Sequence, residues 1–396
     1  MIAIKNGKIV TPTEIIEGKI LLLEQDRIKG FVDSLENLED VERVVNAHGR
    51  FIMPGFIDVH SDRIEQYIQP RPTSQVDFEF GLRICERDML GAGITTIYHS
   101  ISLFGDDSFG SSPLRTKESV QKLANLIAGI HLKNHLIHHR FHLRIEIDNL
   151  EAYGITREMI EQDKVHQISF MNHTPGQGQY KSIEAYKETV TKYNGKYDGK
   201  DISSFNAEEL LQYHIKKPKL PFRKLKELAM LAHEKGIPVA SHDDDTIEKL
   251  EENQKIGVDI SEFPISIETA LAAKEKGFYT VVGSANILRG SSHSGNLSAA
   301  EAVLKDCADI ICSDYYPAAI LYSIFHMNKK YGVTLPEMVN KATLNPAKAM
   351  RIEKDYGSIE IGKKADLMIV DIFDDDPAIT HVFVDGVAVS RIEYRR

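Results

Sequence analysis

The chain has 396 residues, of which 42% are hydrophobic and 27% are charged, and its formal net charge at pH 7 is −10. These proportions are typical of a globular protein, and the acidic balance argues against nucleic acid or an anionic membrane surface as the main partner. A small anionic substrate stays compatible with this charge if cationic side chains are concentrated around one site.

Cysteine usage and the first residues bear on the compartment. Cys85, Cys307 and Cys312 form no Cys-x-x-Cys pair, and an odd number of cysteines gives no complete disulfide framework. This pattern favours a reducing environment. The opening MIAIKNGKIV lacks the character of a signal peptide, and no apolar run approaches the ~18 residues of a membrane span. We therefore expect a cytoplasmic protein.

Both ends of the chain have the pattern of short β-strands separated by turn residues. Residues 1–50 contain several short apolar runs bounded by glycine and polar residues, and residues 357–396 repeat this pattern. Between them, strands and helices alternate. The sequence therefore predicts a small discontinuous β domain, a sandwich built from both termini, beside an α/β domain of residues 51–356.

The middle of the chain contains a series of apolar strands that each end in polar residues. The first begins with FIMPGFI at residues 51–57, and helical patterns such as 222–235 and 267–276 lie between later strands. Strand–helix alternation of this length is typical of a (β/α)8 TIM-like barrel. A doubly wound sheet is the alternative, and it is disfavoured because no glycine-rich phosphate turn follows the first strand.

Imidazole and carboxylate side chains recur at the carboxyl ends of these strands, where barrel enzymes carry their chemistry. Burying such a ring of polar groups is costly unless a charge compensates, and a divalent cation is the simplest compensation. The first two members are two residues apart, so on a strand they point the same way. The candidate residues of this metal site are His60, Asp62, His99, Glu146, His173, His242, Glu262 and Asp314.

Two other groups of polar residues have simpler explanations. Arg144 shares a strand face with Glu146, so it either pairs with a carboxylate or contacts substrate. Helical spacing, together with a position before a strand, indicates a solvated helix face for His131, His135, His138 and His139.

Three motifs are specific in combination for a known family. Residues 53–60 read MPGFIDVH, residues 342–349 read ATLNPAKA, and residues 357–366 read GSIEIGKKAD. In these stretches the sequence resembles the amidohydrolase superfamily of metal-dependent hydrolases. It resembles more narrowly the phosphonate-metabolism branch of that superfamily, through HSD at 60–62, PRP at 70–72, LRIE at 143–146, HTPGQ at 173–177, EFP at 262–264, NILRGSSHSGN at 286–296 and SDYYP at 313–317.

The resemblance implies a barrel that holds one or two divalent metal ions. The chain departs from the common pattern, because Asp62 replaces the second histidine of the first strand and no lysine ends the fourth strand. Glu146 is then the candidate for a carboxylate that bridges two metals. This oxygen-rich set makes manganese or magnesium candidates beside zinc. The implied metal ligands are His60, Asp62, Glu146, His173, His242 and Glu262.

The same branch implies attack on the α-phosphorus of a ribose-linked 5-triphosphate with release of pyrophosphate. A divalent cation lowers the pKa of water, and Asp314 would accept the proton as general base. Negative charge on the phosphoryl oxygens calls for cations and backbone N–H groups, which a loop at 289–296 could supply unless it is a flexible connector. The expected substrate-binding residues are Arg63, Arg71, Arg289, His293 and Asn296.

Several expectations concern the surroundings of this site. Residues 176–220 form a long insertion, which we interpret either as a lid over a polyanion or as a solvated decoration. Two other functions stay open: an amidohydrolase or deacetylase acting on a C–N bond, and a non-catalytic metal-binding subunit of a phosphonate-degrading complex. We further expect a homo-oligomer with a functional link to other proteins of the phosphonate pathway.

Overall fold

A computed structural model describes the chain except for residues 37, 39, 105–111, 175–177, 179–195, 198–199, 202–211, 213–214, 291–296 and 396. Most of the insertion 176–220 and two predicted substrate-binding residues, His293 and Asn296, lie outside the described residues. In the part of the chain that is described, no helix is both long and apolar enough to cross a membrane.

The described elements are numbered in chain order. The strands are β1 (Ile2–Lys5), β2 (Lys8–Val10), β3 (Ile15–Ile16), β4 (Ile20–Glu24), β5 (Arg27–Val32), β6 (Arg43–Asn46), β7 (Phe51–Pro54), β8 (Phe56–Ser61), β9 (Ile94–Leu103), β10 (His138–Glu146), β11 (Gln167–Met171), β12 (Lys196–Tyr197), β13 (Lys200–Asp201), β14 (Val239–His242), β15 (Ile260–Glu262), β16 (Tyr279–Gly283), β17 (Ile310–Cys312), β18 (Leu367–Phe373), β19 (Asp376–Val384) and β20 (Val387–Arg391). The helices are α1 (Arg63–Ile68), α2 (Phe78–Gly91), α3 (Lys117–Ile130), α4 (Ala152–Glu161), α5 (Phe222–Glu234), α6 (Ile247–Ile256), α7 (Ile267–Glu275), α8 (Ser284–Arg289), α9 (Ala299–Leu304), α10 (Ala319–Tyr331), α11 (Leu335–Ala342) and α12 (Leu344–Ala349).

Eight parallel strands form the central sheet, in the order β8-β9-β10-β11-β14-β15-β16-β17. The sheet closes on itself through an isolated parallel bridge between Ser61 and Asp314. There the Asp314 N–H donates to the His60 carbonyl, and the Asp62 N–H donates to the Asp314 carbonyl, both at 3.0 Å. The predicted (β/α)8 barrel is therefore confirmed, and its last strand meets its first beside the predicted site.

Burial explains why these segments form barrel strands. Every residue of β8, β9 and β11 is buried, as expected for parallel strands that are covered on both faces. The covering helices bury one side only; in α3, for example, Val120, Leu123 and Ile127 face inward. The two helices predicted at 222–235 and 267–276 are α5 and α7.

Residues from both termini form two further sheets, ordered β5-β4-β1-β6 and β20-β19-β18-β7-β2-β3. Their facing sides share one core, in which Ile4, Leu21, Ile52, Leu367 and Phe383 are all completely buried. The predicted sandwich is thus confirmed as part of the fold class.

The apolar run 51–57 is not one strand, as the sequence predicts, but two. β7 pairs with β2 and β18 in the six-stranded sheet, whereas β8 pairs with β9 in the barrel. Gly55 separates them, and a Cβ atom there would lie 2.2 Å from the Thr95 hydroxyl oxygen. The six-stranded sheet therefore reaches past the boundary predicted at residue 50, while the two-domain division itself stays a prediction.

Two predictions about histidines are wrong. β9 continues to Leu103, so His99 lies in mid-strand rather than at a strand end, and its Nε2 contacts His139 Nδ1 at 2.9 Å. The solvated helix face predicted through residue 139 also fails, because α3 ends at Ile130 and His138 opens β10. His139 is buried with its Nε2 3.3 Å from Glu86 Oε2. The contacts of His99 with His139, and of His139 with Glu86, compensate the burial of these imidazoles. These partners are distant in sequence.

Candidate metal centre

The carboxyl ends of the barrel strands bring together the residues that the sequence singled out, apart from His99. Three groups of residues lie here, two of which share His60, and within each group the ligand atoms all lie within 4.8 Å of one another. The groups are His60, Asp62 and Asp314; His173, His242 and Asp243; and His60, His142 and Glu262.

The first group lies where the barrel closes. His60, at the end of β8, is 1% exposed, and its Nε2 lies 3.7 Å from Asp62 Oδ1. Asp62 and His60 therefore point the same way, as their spacing predicts. Asp314 is brought beside them by the backbone bridge between its residue and Ser61. This group offers one imidazole and two carboxylates, a donor set suited to manganese, magnesium or zinc.

Glu262 lies beneath His60 and is completely buried. Its Oε1 is 3.1 Å from His60 Nδ1 and accepts from Gln167 Nε2 at 3.0 Å. Burial would raise the pKa of Glu262, but His142 and His60 nearby lower it to about 2. An ionised Glu262 keeps the His60 proton on Nδ1, which leaves Nε2 free as a lone-pair donor toward Asp62 and Asp314.

The second group lies on the neighbouring strands. His173, just after β11, has its Nδ1 2.5 Å from Oε1 of Glu146 at the end of β10. His242, at the end of β14, has its Nδ1 3.0 Å from Asp243 Oδ2. Burial favours the neutral forms of Glu146, yet the adjacent His173 charge holds the pKa of this carboxyl below its usual value.

Arg144 connects the two groups. Its NH1 donates to both carboxylate oxygens of Asp62, at 3.0 and 3.2 Å, and its NH2 lies 3.3 Å from His242 Nε2. Burial opposes its charge, but Asp62 and Glu262 raise the pKa of the guanidinium. The interpretation that Arg144 pairs with a carboxylate is confirmed. Its position between two ligand groups was not predicted, because it depends on which strands become neighbours.

Left-handed backbone follows three of the strands that carry the site. Asp243, Phe263 and Asp314 have φ angles of 54°, 54° and 56°. Aspartate tolerates this conformation, whereas for phenylalanine it is a strained state that the surroundings must enforce. The Phe263 ring packs against His60 and His242, with centroids 5.0 and 5.1 Å away. Phe263 thus fixes two imidazoles, a role that the sequence signals only through the EFP motif.

Asp314 has the properties of a proton acceptor. Burial, reinforced by the negative charge of Asp62, raises the pKa of its carboxyl to about 7. A base with a pKa near the operating pH combines a large reactive fraction with sufficient basicity. The sequence assigned the general base to this residue, and that role stays a prediction.

The predicted phosphate-binding arginines surround this end of the barrel less tightly. Arg63 opens α1, donates to Gln66 and lies with its guanidinium 5.3 Å from the centre of the Tyr67 ring. Arg71 and Arg289 are exposed, Arg71 in a turn and Arg289 at the end of α8. These three side chains are available to a polyanion that approaches from outside, and their role stays a prediction.

A cation fits the residues that are present. His242 Nδ1 and Asp243 Oδ2 of the second group lie 3.0 Å apart, yet both are buried atoms that have no hydrogen-bond partner among the described residues. Each such atom costs about 1–3 kcal/mol unless something binds it. A nitrogen and an oxygen atom that lie together without a hydrogen bond suit a divalent ion.

Comparisons with known proteins agree with this architecture. The chain is 32% identical over 391 residues to the alpha-D-ribose 1-methylphosphonate 5-triphosphate diphosphatase of Escherichia coli K12. The aligned region covers 98% of this chain and 99% of that protein. A 68-residue stretch is 37% identical to the imidazolonepropionase of Picrophilus torridus, over 16% of this chain and 17% of that protein.

Solved structures share the fold at low identity. The N-acetylglucosamine-6-phosphate deacetylase of Pasteurella multocida superposes with a TM-score of 0.62 at 14% identity, over 97% of this chain and 98% of that one. Molinate hydrolase superposes with a TM-score of 0.66 at 15% identity, over 100% of this chain and 97% of that one. The profile of the amidohydrolase family matches residues 51–389. The chain therefore belongs to the amidohydrolase family.

Proposed function

We propose that this hydrolase cleaves α-D-ribose 1-methylphosphonate 5-triphosphate to the 5-phosphate and pyrophosphate. The observation that carries the proposal is the similarity to the E. coli diphosphatase along nearly the whole of both chains. Asp314, His60 and Asp62 also gather at one point, which suits metal-assisted hydrolysis. A cytoplasmic location, self-association and a link to other phosphonate-pathway proteins belong to the same proposal.

The residues that would hold one or two divalent ions are His60, Asp62, Glu146, His173 and His242, with manganese, magnesium or zinc as the ion. When bound, such an ion would lower the pKa of water and offset negative charge on the phosphoryl oxygens. Glu262, predicted as a ligand, would instead orient His60 from beneath, because its Oε1 already contacts His60 Nδ1.

The protein's own groups would then act in sequence. Asp314 would accept the proton of the attacking water, since it lies with His60 and Asp62 at the mouth of the barrel. Arg63, Arg71 and Arg289 would bind the non-reacting phosphoryl oxygens, together with His293 and Asn296. The insertion 176–220, most of which lies outside the described residues, would on this proposal serve as a lid over the bound triphosphate.

The test is hydrolysis of the ribosyl triphosphate followed by phosphorus NMR, with elemental analysis of the same preparation. We expect pyrophosphate as product, and we expect Asp314→Asn to lower kcat by about 10²–10⁴, the usual contribution of a general base, at unchanged metal content. Wild-type turnover by Asp314→Asn would refute its assignment as base.

The alternative function is hydrolysis of a C–N bond by an amidohydrolase or deacetylase. Assays of cyclic amides and N-acetyl sugars under the same conditions distinguish it from the proposed triphosphate hydrolysis. Faster cleavage of any of these amides than of the triphosphate would replace the proposed substrate. A protein that binds metal yet turns over neither class would be the non-catalytic subunit.

A further inference from the structure

We propose that the chain binds a separate divalent transition-metal ion between the underside of the barrel and the sandwich, with His138, Asp366 and Asp385 as ligands. His138 is the first residue of β10 and Glu146 the last. At the rise of an extended strand they lie roughly 25 Å apart, so this interdomain site is distinct from the candidate metal centre.

The spacing of the donor atoms fits one small cation. His138 Nε2 lies 3.1 Å from Asp366 Oδ2 and 3.8 Å from Asp385 Oδ2. All three ligand atoms fall within 4.8 Å of one another. Donors held at about 2.0–2.1 Å around a tetrahedral zinc ion are separated by about 3.3 Å. A modest movement of Asp385 would complete this arrangement.

Two of the donors are buried without hydrogen bonds. His138 is 7% exposed and Asp366 is 8% exposed, and neither His138 Nε2 nor Asp366 Oδ2 has a hydrogen-bond partner among the described residues. Although these atoms are 3.1 Å apart, they are not aligned to share a proton. A cation that binds between these two atoms would therefore compensate the loss of hydration of both.

The surrounding charges also call for a cation. The Asp385 N–H donates to Asp366 Oδ1 at 2.8 Å, which sets Asp366 Oδ2 toward His138. Lys364 Nζ donates to Asp385 Oδ1 at 2.8 Å and to Asp26 Oδ2 at 2.7 Å. Asp26 and Asp385 thus share one ammonium group and Asp366 adds a third carboxylate, so these three carboxylates and Lys364 together carry a charge of −2, which one divalent cation would balance.

An entry path and a role follow from the same geometry. The Asp385 side chain is 36% exposed, so an ion can reach the site from solvent and keep water as a further ligand. The ion would join β10 of the barrel to the residues that flank β18 and β19 of the sandwich. An ion that binds the folded chain but not the unfolded chain stabilises the fold. The interdomain ion should therefore raise the free energy of unfolding without taking part in hydrolysis.

The experiment counts ions. Full-length protein is stripped with a chelator, titrated with Zn²⁺, passed over a desalting column and analysed for zinc per chain. We expect His138→Gln to bind one ion fewer than wild type, to lose part of the zinc-dependent rise in Tm, and to keep its hydrolytic rate. His326→Gln, which replaces a histidine on α10, is the matched control and should behave as wild type.

The proposal is overturned if His138→Gln binds as many zinc ions as wild type and shows the same zinc-dependent Tm. If that variant fails to fold, Asp385→Asn decides instead, because its partly exposed side chain tolerates an isosteric change. Asp385→Asn should weaken zinc binding at this site by at least about tenfold, and unchanged binding would equally overturn the proposal. Loss of zinc from the candidate metal centre would abolish hydrolysis, so the two sites are distinguishable.

Discussion

At the scale of single residues, Asp314 makes the stability of the metal-free protein depend on pH. Its pKa is about 7 in the fold against an ordinary 3.8, so between these values the folded protein keeps a proton that the unfolded chain releases. The contribution of Asp314 to the free energy of unfolding must therefore fall as pH rises from about 4 to about 7. Asp314→Asn, which mimics the protonated acid, should gain stability over wild type across this range.

Urea unfolding of both metal-free proteins at pH 5 and pH 8 measures this difference. A gap between variant and wild type that stays constant with pH would contradict the raised pKa. Saturating Mn²⁺ should reverse the order, because a bound cation favours the ionised carboxylate.

Arg144 gives a second prediction at this scale. Arg144→Met leaves Asp62 without its bidentate partner, and breaking a fully buried pair costs about 3–5 kcal/mol. Because the Asp62 side chain is 30% exposed, we expect a loss of about 2 kcal/mol in the metal-free protein and less when Mn²⁺ neutralises Asp62.

Chemical denaturation with and without Mn²⁺ tests this expectation. Arg157→Met, which removes an exposed i,i+4 pair with Glu161 on α4, is the control and should change the free energy of unfolding far less than Arg144→Met does, because solvent screens an exposed pair. An equal effect of Arg144→Met in both conditions would show that Arg144 and the ion do not share Asp62.

The sequence predicted the members of the candidate metal centre better than their contacts. His60, Glu146, His242 and Asp314 were found because each ends a predicted strand, and parallel strands end at one edge. The register of the barrel strands decides that Glu262 contacts His60. The register also decides that Arg144 lies between Asp62 and His242. His138 is buried beside Asp366 because the barrel packs against the six-stranded sheet. The spacing of histidines within one short segment cannot reveal such a contact.

At the scale of elements, the turn from β7 into β8 depends on Gly55. A methyl group there would collide with the buried Thr95 side chain, at 2.2 Å from its oxygen. Gly55→Ala should therefore lower the free energy of unfolding by about 1–3 kcal/mol, as other overpacking substitutions do.

Gly129→Ala in α3 is the matched control, since nothing lies within 4 Å of the added atom. It should raise stability by about 0.5–1 kcal/mol, because alanine is the better helix former. Thermal unfolding of the two variants gives both values, and a Gly55→Ala protein as stable as wild type would show that Thr95 moves aside freely.

At the scale of the whole molecule, the sandwich and the barrel share a boundary layer. Along β18, Leu367 and Ile369 face the sandwich core, while Met368 and Val370 belong to the core that includes the barrel. Unfolding either part would expose one face of this strand. We therefore expect a single cooperative transition, with far-UV circular dichroism and hydrogen exchange of both parts giving one midpoint. Two separated midpoints would contradict it.

The bridge between Ser61 and Asp314 has a consequence for synthesis in the cell. Asp314 and His60, the proposed proton acceptor and the proposed first ligand, meet only when the last barrel strand docks against the first, so an emerging polypeptide cannot complete this pocket until residue 314 has left the ribosome. On the proposed function, binding of an ion between His60 and Asp314 would follow closure of the barrel and could not guide it.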